Sequence, residues 1–130
     1  MVDSENSLAG KRCLVLDDEI LIALDIQQML EAAGAESVIC VVDAAGALAA
    51  LRGAPKFDIA VLDVVLGGTM GTSLAVATVL REQQTPFVFI TGMQVEDLEQ
   101  TMQFPDVPVV EKPYPAATLL EALLRALDGR

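Results

Sequence analysis

Along this chain, short uninterrupted apolar runs alternate with stretches in which apolar side chains return every three or four residues. Residues 12–16 (R-C-L-V-L), 37–42 (S-V-I-C-V-V), 58–63 (D-I-A-V-L-D), 87–91 (F-V-F-I-T) and 107–110 (V-P-V-V) are of the first kind and predict five strands. In the stretch 19–33, Ile22, Ile26, Met29, Leu30 and Ala33 fall at helical spacing and Gly34 supplies the stop. Further helices are predicted over the Ala-rich 44–52, which ends near Gly53 and Pro55, over 72–82 after a Gly-Gly loop at 67–68, and over the Leu-rich 116–127. The pattern over about 95–102 is weaker, a short helix followed by two prolines. Strands joined by single helices must run parallel through right-handed crossovers. The expected architecture is therefore α/β, a doubly wound sandwich of helices, sheet and helices.

Composition agrees with that layering. Of 130 residues, 53% are apolar and only 4% aromatic, so the expected core is Ala, Val, Leu and Ile rather than rings. No apolar run reaches the roughly 18 residues that would span a bilayer. The opening M-V-D-S-E-N-S lacks the basic start and apolar stretch of a signal peptide, so the cytoplasm is the expected compartment. Residues 1–10 read as a flexible polar lead and 11–128 as one domain. Eight basic residues stand against 19 acidic ones, a net charge of −11, which argues against direct binding to nucleic acid. Cys13 and Cys40 fall in predicted strands and read as small buried hydrophobes in a reducing compartment. The chain has no His, which excludes His-ligated zinc, His general bases and Ser-His-Asp triads.

Charge becomes informative at the strand ends. In an open parallel sheet, ligands bind beyond the carboxyl ends of the strands. The first strand runs into Asp17-Asp18, with Glu19 next; the third ends in Asp63, the fourth in Thr91, and Lys112-Pro113 follows the fifth. Asp43, after the apolar end of the second strand, reads as a helix cap. Clustered carboxylates raise one another's pKa unless a cation balances them, and one Lys is too little for three. Oxygen-only ligation with open positions suits Mg²⁺. Asp63 is the single acid of the group, so it is free to act as nucleophile on phosphorus while the pair holds the metal. Lys112 and the Thr91 hydroxyl would meet the other phosphoryl oxygens.

In this order and at these spacings, Asp17-Asp18, Asp63, Gly71, Thr91-Gly92 and Lys112-Pro113 resemble the receiver domain of two-component response regulators, over residues 11–128. The resemblance implies a (βα)5 flavodoxin-like three-layer sandwich with a five-stranded parallel sheet of order 2-1-3-4-5. It also implies Asp63 as phosphoacceptor, Mg²⁺ held by Asp17, Asp18, Asp63 and the backbone carbonyl of Val65, and Thr91 and Lys112 as phosphate-binding switch residues. Val65 and Met93 would flank the phosphate, and the bond before Pro113 would be cis. Glu19, opening a helix, would meet the helix dipole rather than the metal. The implied partners are a histidine kinase or histidine phosphotransferase and a downstream protein, with neither nucleic acid nor membrane.

The chain departs from the family pattern in places. The usual switch aromatic is replaced by Val109, which leaves Phe89 or Tyr114 to report the state. Gly67 stands where Pro is common, and the region of the fourth helix is short. The stretch P-F-V-F-I-T-G resembles a stand-alone subgroup with a Phe-x-Thr-Gly signature, so a single-domain regulator is expected, against a receiver fragment of a larger regulator or hybrid kinase. A haloacid-dehalogenase-like phosphatase also uses a strand-end Asp, a hydroxyl, a Lys and Mg²⁺, but wants an acid two residues after the nucleophile, where Val65 stands. A scaffolding pseudo-receiver is the third reading. The Leu-rich face of the last helix (Leu119, Leu120, Leu123, Leu124, Leu127) and Ile20, Leu21 and Leu24 of the first are wider than one buried stripe requires. They serve either the core or a docking face for the kinase or a second copy in a homodimer.

Overall fold

The structure, a computed structural model, describes residues 7–53, 56–66, 69–70, 72–92 and 104–128, with backbone only for 65, 66, 69, 70 and 72. Five strands form one parallel sheet: β1 (Arg12–Leu16), β2 (Ser37–Val41), β3 (Ile59–Asp63), β6 (Phe87–Thr91) and β7 (Val109–Glu111). Their order is β2-β1-β3-β6-β7, which is 2-1-3-4-5 for the five sheet strands, as expected. The Gly-Gly loop is flanked by a small antiparallel hairpin, β4 (Val65–Leu66) with β5 (Thr69–Met70). Four helices are described: α1 (Ile20–Ala32), α2 (Ala44–Arg52), α3 (Thr72–Glu82) and α4 (Ala116–Asp128). The helix expected at about 95–102 lies outside the described residues. No described helix is long and apolar enough to cross a membrane.

Side-chain alternation along the strands divides the core into two layers. Leu14, Leu16, Ala60, Leu62, Phe87 and Phe89 face α2 and α3, while Cys13, Val15, Ile59, Val61, Val88 and Ile90 face α1 and α4. β3 and β6 are buried along their whole length, the signature of strands covered on both sides. The low aromatic content is concentrated: Phe87, Phe89 and Phe104 pack edge-to-face with centroids 5.6–6.1 Å apart. Each such pair adds about 0.5–1.5 kcal/mol beyond its area burial.

Several boundaries move by a residue or two. The last sheet strand starts at Val109 because Pro108 has no N–H to give the ladder, though its carbonyl accepts from Phe89 N–H at 3.0 Å. Residues 7–10, expected in a flexible lead, form a turn: Leu8 is fully buried and its N–H donates to the Ala33 carbonyl at 2.9 Å. Asp43 does cap α2, accepting from Gly46 N–H at 2.7 Å. A Cβ at Gly46 would lie only 3.1 Å from the Asp43 Oδ1 that makes this cap, which explains the glycine. The Leu face of α4 turns inward: Leu119 and Leu123 are fully buried and the other three pack half-buried on the same core. The basic residues are unevenly placed. Lys11 and Arg12 open β1, Lys56 precedes β3, and Arg52, Arg81 and Arg125 lie at or near the ends of α2, α3 and α4, so Lys112 is the one described cation at the carboxyl edge of the sheet.

The two cysteines differ more than expected. Cys13 is fully buried, and burial pushes its thiol up to about 12. Cys40, on the edge strand β2, is half-buried; its thiol is also raised, by burial and then by Glu31, and lies 3.5 Å from Ala23 O and Gln27 Oε1. A thiol-reactive disulfide reagent at pH 8 should therefore label Cys40 slowly and leave Cys13 untouched until denaturant is added. Equal rates in the native protein would contradict this burial.

Candidate functional site

Parallel pairing brings the strand ends level. Leu16 pairs with Leu62 and Asp63 with Ile90, so Asp17, Asp63 and Thr91 leave the sheet side by side. One carboxylate oxygen from each of Asp17, Asp18 and Asp63 lies within 4.8 Å of the other two. Asp17 is fully buried, Asp63 is 5% exposed, and Asp18 faces solvent. The chain beyond Asp63 is pinned: Val64 N–H donates to Ile90 O at 3.0 Å, and Ser73 Oγ on α3 donates to Val64 O at 3.1 Å.

The cation comes from the end of β7. Lys112 N–H donates to Thr91 O at 2.7 Å, and the Lys112–Pro113 bond is cis, as expected. The Lys112 ammonium lies 3.3 Å from Asp17 Oδ2 and 3.8 Å from Asp63 Oδ2. It is also 3.7 Å from Glu19 Oε1, and Glu19 N–H donates to Asp17 Oδ1 at 2.9 Å. Glu19 thus joins the cluster through Lys112, a role its place at the helix start did not suggest, although its adjacency to Asp18 was the signal. Three carboxylates, Asp17, Glu19 and Asp63, share the Lys112 ammonium, and with Asp18 the cluster carries an excess of three negative charges, two of its acids buried and two facing solvent. The donor set is oxygen alone, which fits a hard divalent cation such as Mg²⁺ with positions left for water or phosphate.

Thr91 closes β6 and is fully buried. Val109 is half-buried and packs on the α2–α3 layer, and Phe89 is locked in the phenylalanine cluster. Met93, Gly71 and Gly67 lie outside the described residues, as does the side chain of Val65, whose backbone opens β4. Tyr114, two residues past Lys112, packs half-buried on the α1–α4 layer within the field of the site.

The family model for the response regulator receiver domain matches residues 13–124. The chain belongs to the response regulator receiver family. Solved structures agree. A response regulator receiver protein from Sinorhizobium medicae WSM419 is 30% identical, with a TM-score of 0.80 over 94% of this chain and 98% of that one. The chemotaxis response regulator CheY4 of Vibrio cholerae is 26% identical, with a TM-score of 0.75 over 92% of this chain and all of that one. NtrX from Brucella abortus, solved in complex with ATP, is 26% identical with a TM-score of 0.77, and this receiver covers 27% of its chain. No match was found among curated protein sequences. Membership sets aside the dehalogenase-like reading, whose second acid the chain also lacks.

Tyr114 offers a direct check on the site's field. Burial, then the negative charges of Asp17, Asp25 and Asp63, push its phenol up to about 12. The fold therefore favours the neutral phenol: this contribution to stability is complete below pH ~10, the unfolded value, and is lost as pH rises toward 12. With one Tyr and no Trp, absorbance at 295 nm should show tyrosinate forming near pH 12 in native protein and near 10 in guanidinium. Asp25→Asn should lower the native midpoint, and a native midpoint of about 10 would place Tyr114 away from the acids.

Proposed function

We propose that this receiver accepts a phosphoryl group on Asp63 from the phosphohistidine of a histidine kinase or histidine phosphotransferase, in the cytoplasm, and signals by protein contacts as a single-domain regulator. The observation that carries the reading is the convergence of Asp17, Asp18 and Asp63 within 4.8 Å, with the Lys112 ammonium 3.8 Å from Asp63. In the transfer, a carboxylate oxygen of Asp63 attacks phosphorus and the P–N bond to the donor breaks. The electron pair goes to the imidazole nitrogen, which takes a proton from solvent. Lys112, now shared between Asp17 and Asp63, turns to a phosphoryl oxygen, and the Thr91 hydroxyl and neighbouring N–H groups take another. Asp17, Asp18, Asp63 and the Val65 carbonyl would hold Mg²⁺, which would supply the positive charge that three excess carboxylates deny an incoming phosphate.

Incubation with acetyl phosphate and Mg²⁺ should add one labile phosphoryl group, read by intact mass, and Asp63→Asn should add none. EDTA should abolish the gain. A wild-type chain that stays unmodified would overturn the reading, and sustained hydrolysis without a phosphorylated species would favour a phosphatase.

One surface observation extends this reading to the donor. Ile20, Leu21 and Leu24 are 52%, 78% and 44% exposed on the first turns of α1, directly beyond Glu19. They extend the acid pocket with an apolar patch suited to a helical donor domain. Leu21→Ala with Leu24→Ala should slow transfer from a phosphohistidine donor about ten-fold, as for a modest interface hot spot. Labelling by acetyl phosphate should be unchanged. A drop in oligomeric mass in the double variant would instead assign the patch to a homodimer.

A further inference from the structure

A cleft of about 630 Å³ opens at the amino-terminal edge of the sheet, the far end from the acids. It lies where the end of α3, the start of β6, the turn before β7 and the end of α4 meet, and none of the residues in the acid site lines it. Its volume falls in the range of small-molecule sites, about 300–1,000 Å³. The floor is apolar, with Phe87 and Val107 among its residues.

The polar groups around this floor are unlike the rest of the surface. In a chain of net charge −11, two of the eight basic residues, Arg81 and Arg125, line the cleft against a single acid, Asp106. Arg81 is held in place: its Nη2 lies 3.2 Å from both carboxylate oxygens of Asp106. Its guanidinium carbon sits 5.8 Å and 5.3 Å from the ring centroids of Phe87 and Phe104. Those contacts fix the plane of the group and commit only one of its nitrogens. Arg125 has no ion-pair partner among the described residues; Glu121 and Asp128, a turn away on α4, do not reach it. A guanidinium with five donors and no acceptor beside it is a ready anchor for a carboxylate or phosphate.

A third, independent feature sits at the lip. Gln84 has a left-handed backbone, φ 62°, and no other described non-glycine residue has a positive φ. This is the position just past a helix end where Gly is the usual residue, and a side chain there meets a steric penalty that glycine avoids. The turn itself needs only the backbone: Gln84 N–H donates to Arg81 O at 3.0 Å and Thr85 N–H to Leu80 O at 2.9 Å. The side chain retained at that cost lines the cleft next to the buried Thr85.

We propose that this cleft is a second ligand site, taking a small aromatic anion: an aromatic or heteroaromatic ring joined, directly or through a sugar, to a carboxylate or a phosphate. The ring lies on the apolar floor by Phe87 and Val107, the anionic group bridges Arg125 and the uncommitted nitrogens of Arg81, and the Gln84 amide closes over the ring's polar edge. The site stands apart from phosphoryl transfer, so Asp63→Asn should leave it intact.

Adenosine 5′-monophosphate in EDTA, followed by amide chemical shifts of the full chain, tests it. Shifts should centre on Gln84, Thr85 and Val107 with a Kd of about 1 mM or tighter. Inorganic phosphate alone and adenosine alone should each bind more weakly, since each fills half of the site. Arg125→Gln should weaken binding about five-fold or more, the loss of a charge-assisted hydrogen bond, while Arg52→Gln, outside the cleft, should not. Shifts centred on the acid pocket, equal binding of adenosine alone, or an affinity indifferent to Arg125→Gln would each overturn the proposal.

Discussion

The chemistry of this receiver rests on a constraint of the backbone: every strand of the sheet runs the same way. A parallel ladder with Leu16 level with Leu62, and Asp63 level with Ile90, leaves residues far apart in sequence no choice but to share one rim. Asp17, Asp18, Asp63, Thr91 and Lys112 meet there without any loop having to reach across. The cost is electrostatic. Carboxylates gathered within 4.8 Å, one of them fully buried, are tolerated because Lys112 is drawn in among them and because the surrounding hydrogen bonds fix each backbone.

The two-layer core sets how that rim connects to the rest of the molecule. α1 begins beside Glu19, and the chain past Lys112 passes through Pro113 and Tyr114 into α4. Both helices pack on the same face of the sheet, so the groups that hold Lys112 and the groups that follow it share one layer. On the other face, Phe87, Phe89 and Phe104 form a rigid cluster. Val109 packs on that face as a small aliphatic, and Phe89 is too enclosed to change its surroundings without breaking the cluster. Tyr114, half-buried at the seam between rim and α1–α4 layer, is the aromatic that experiences the charge of the site.

How much of this could be read from the residues alone follows from the range of each interaction. Strand ends are local, so the acids, Thr91 and Lys112 were legible, and the alternation of apolar runs with helical stretches sufficed to order the layers. Asp43 as a cap was legible for the same reason. Glu19 was not assigned to the cluster because its partner, Lys112, is 93 residues away in the chain and reaches it only through the fold. The burial of Leu8 depends on the Ala33 carbonyl, again a distant partner. An average aromatic content of 4% hid the fact that three of four phenylalanines would converge. The cleft near Arg81 and Arg125 is assembled from four separate segments, none of which carries a motif. The leucines of α4 were ambiguous because helical spacing tells which side chains share a face and says nothing of how far the neighbouring layer extends.

The uneven placement of basic residues makes the two edges of the sheet electrostatically unlike among the described residues. Among the described residues, six cations sit at the amino-terminal edge with acids between them, while the opposite edge has Lys112 against Asp17, Asp18, Glu19, Asp43, Asp63 and Glu111. In the field of a basic surface, that difference favours orientations in which the acidic edge faces the surface. That preference acts over about a Debye length, ~8 Å at physiological ionic strength. The orientation of the acidic edge toward any basic surface is therefore tuned by the ionic medium.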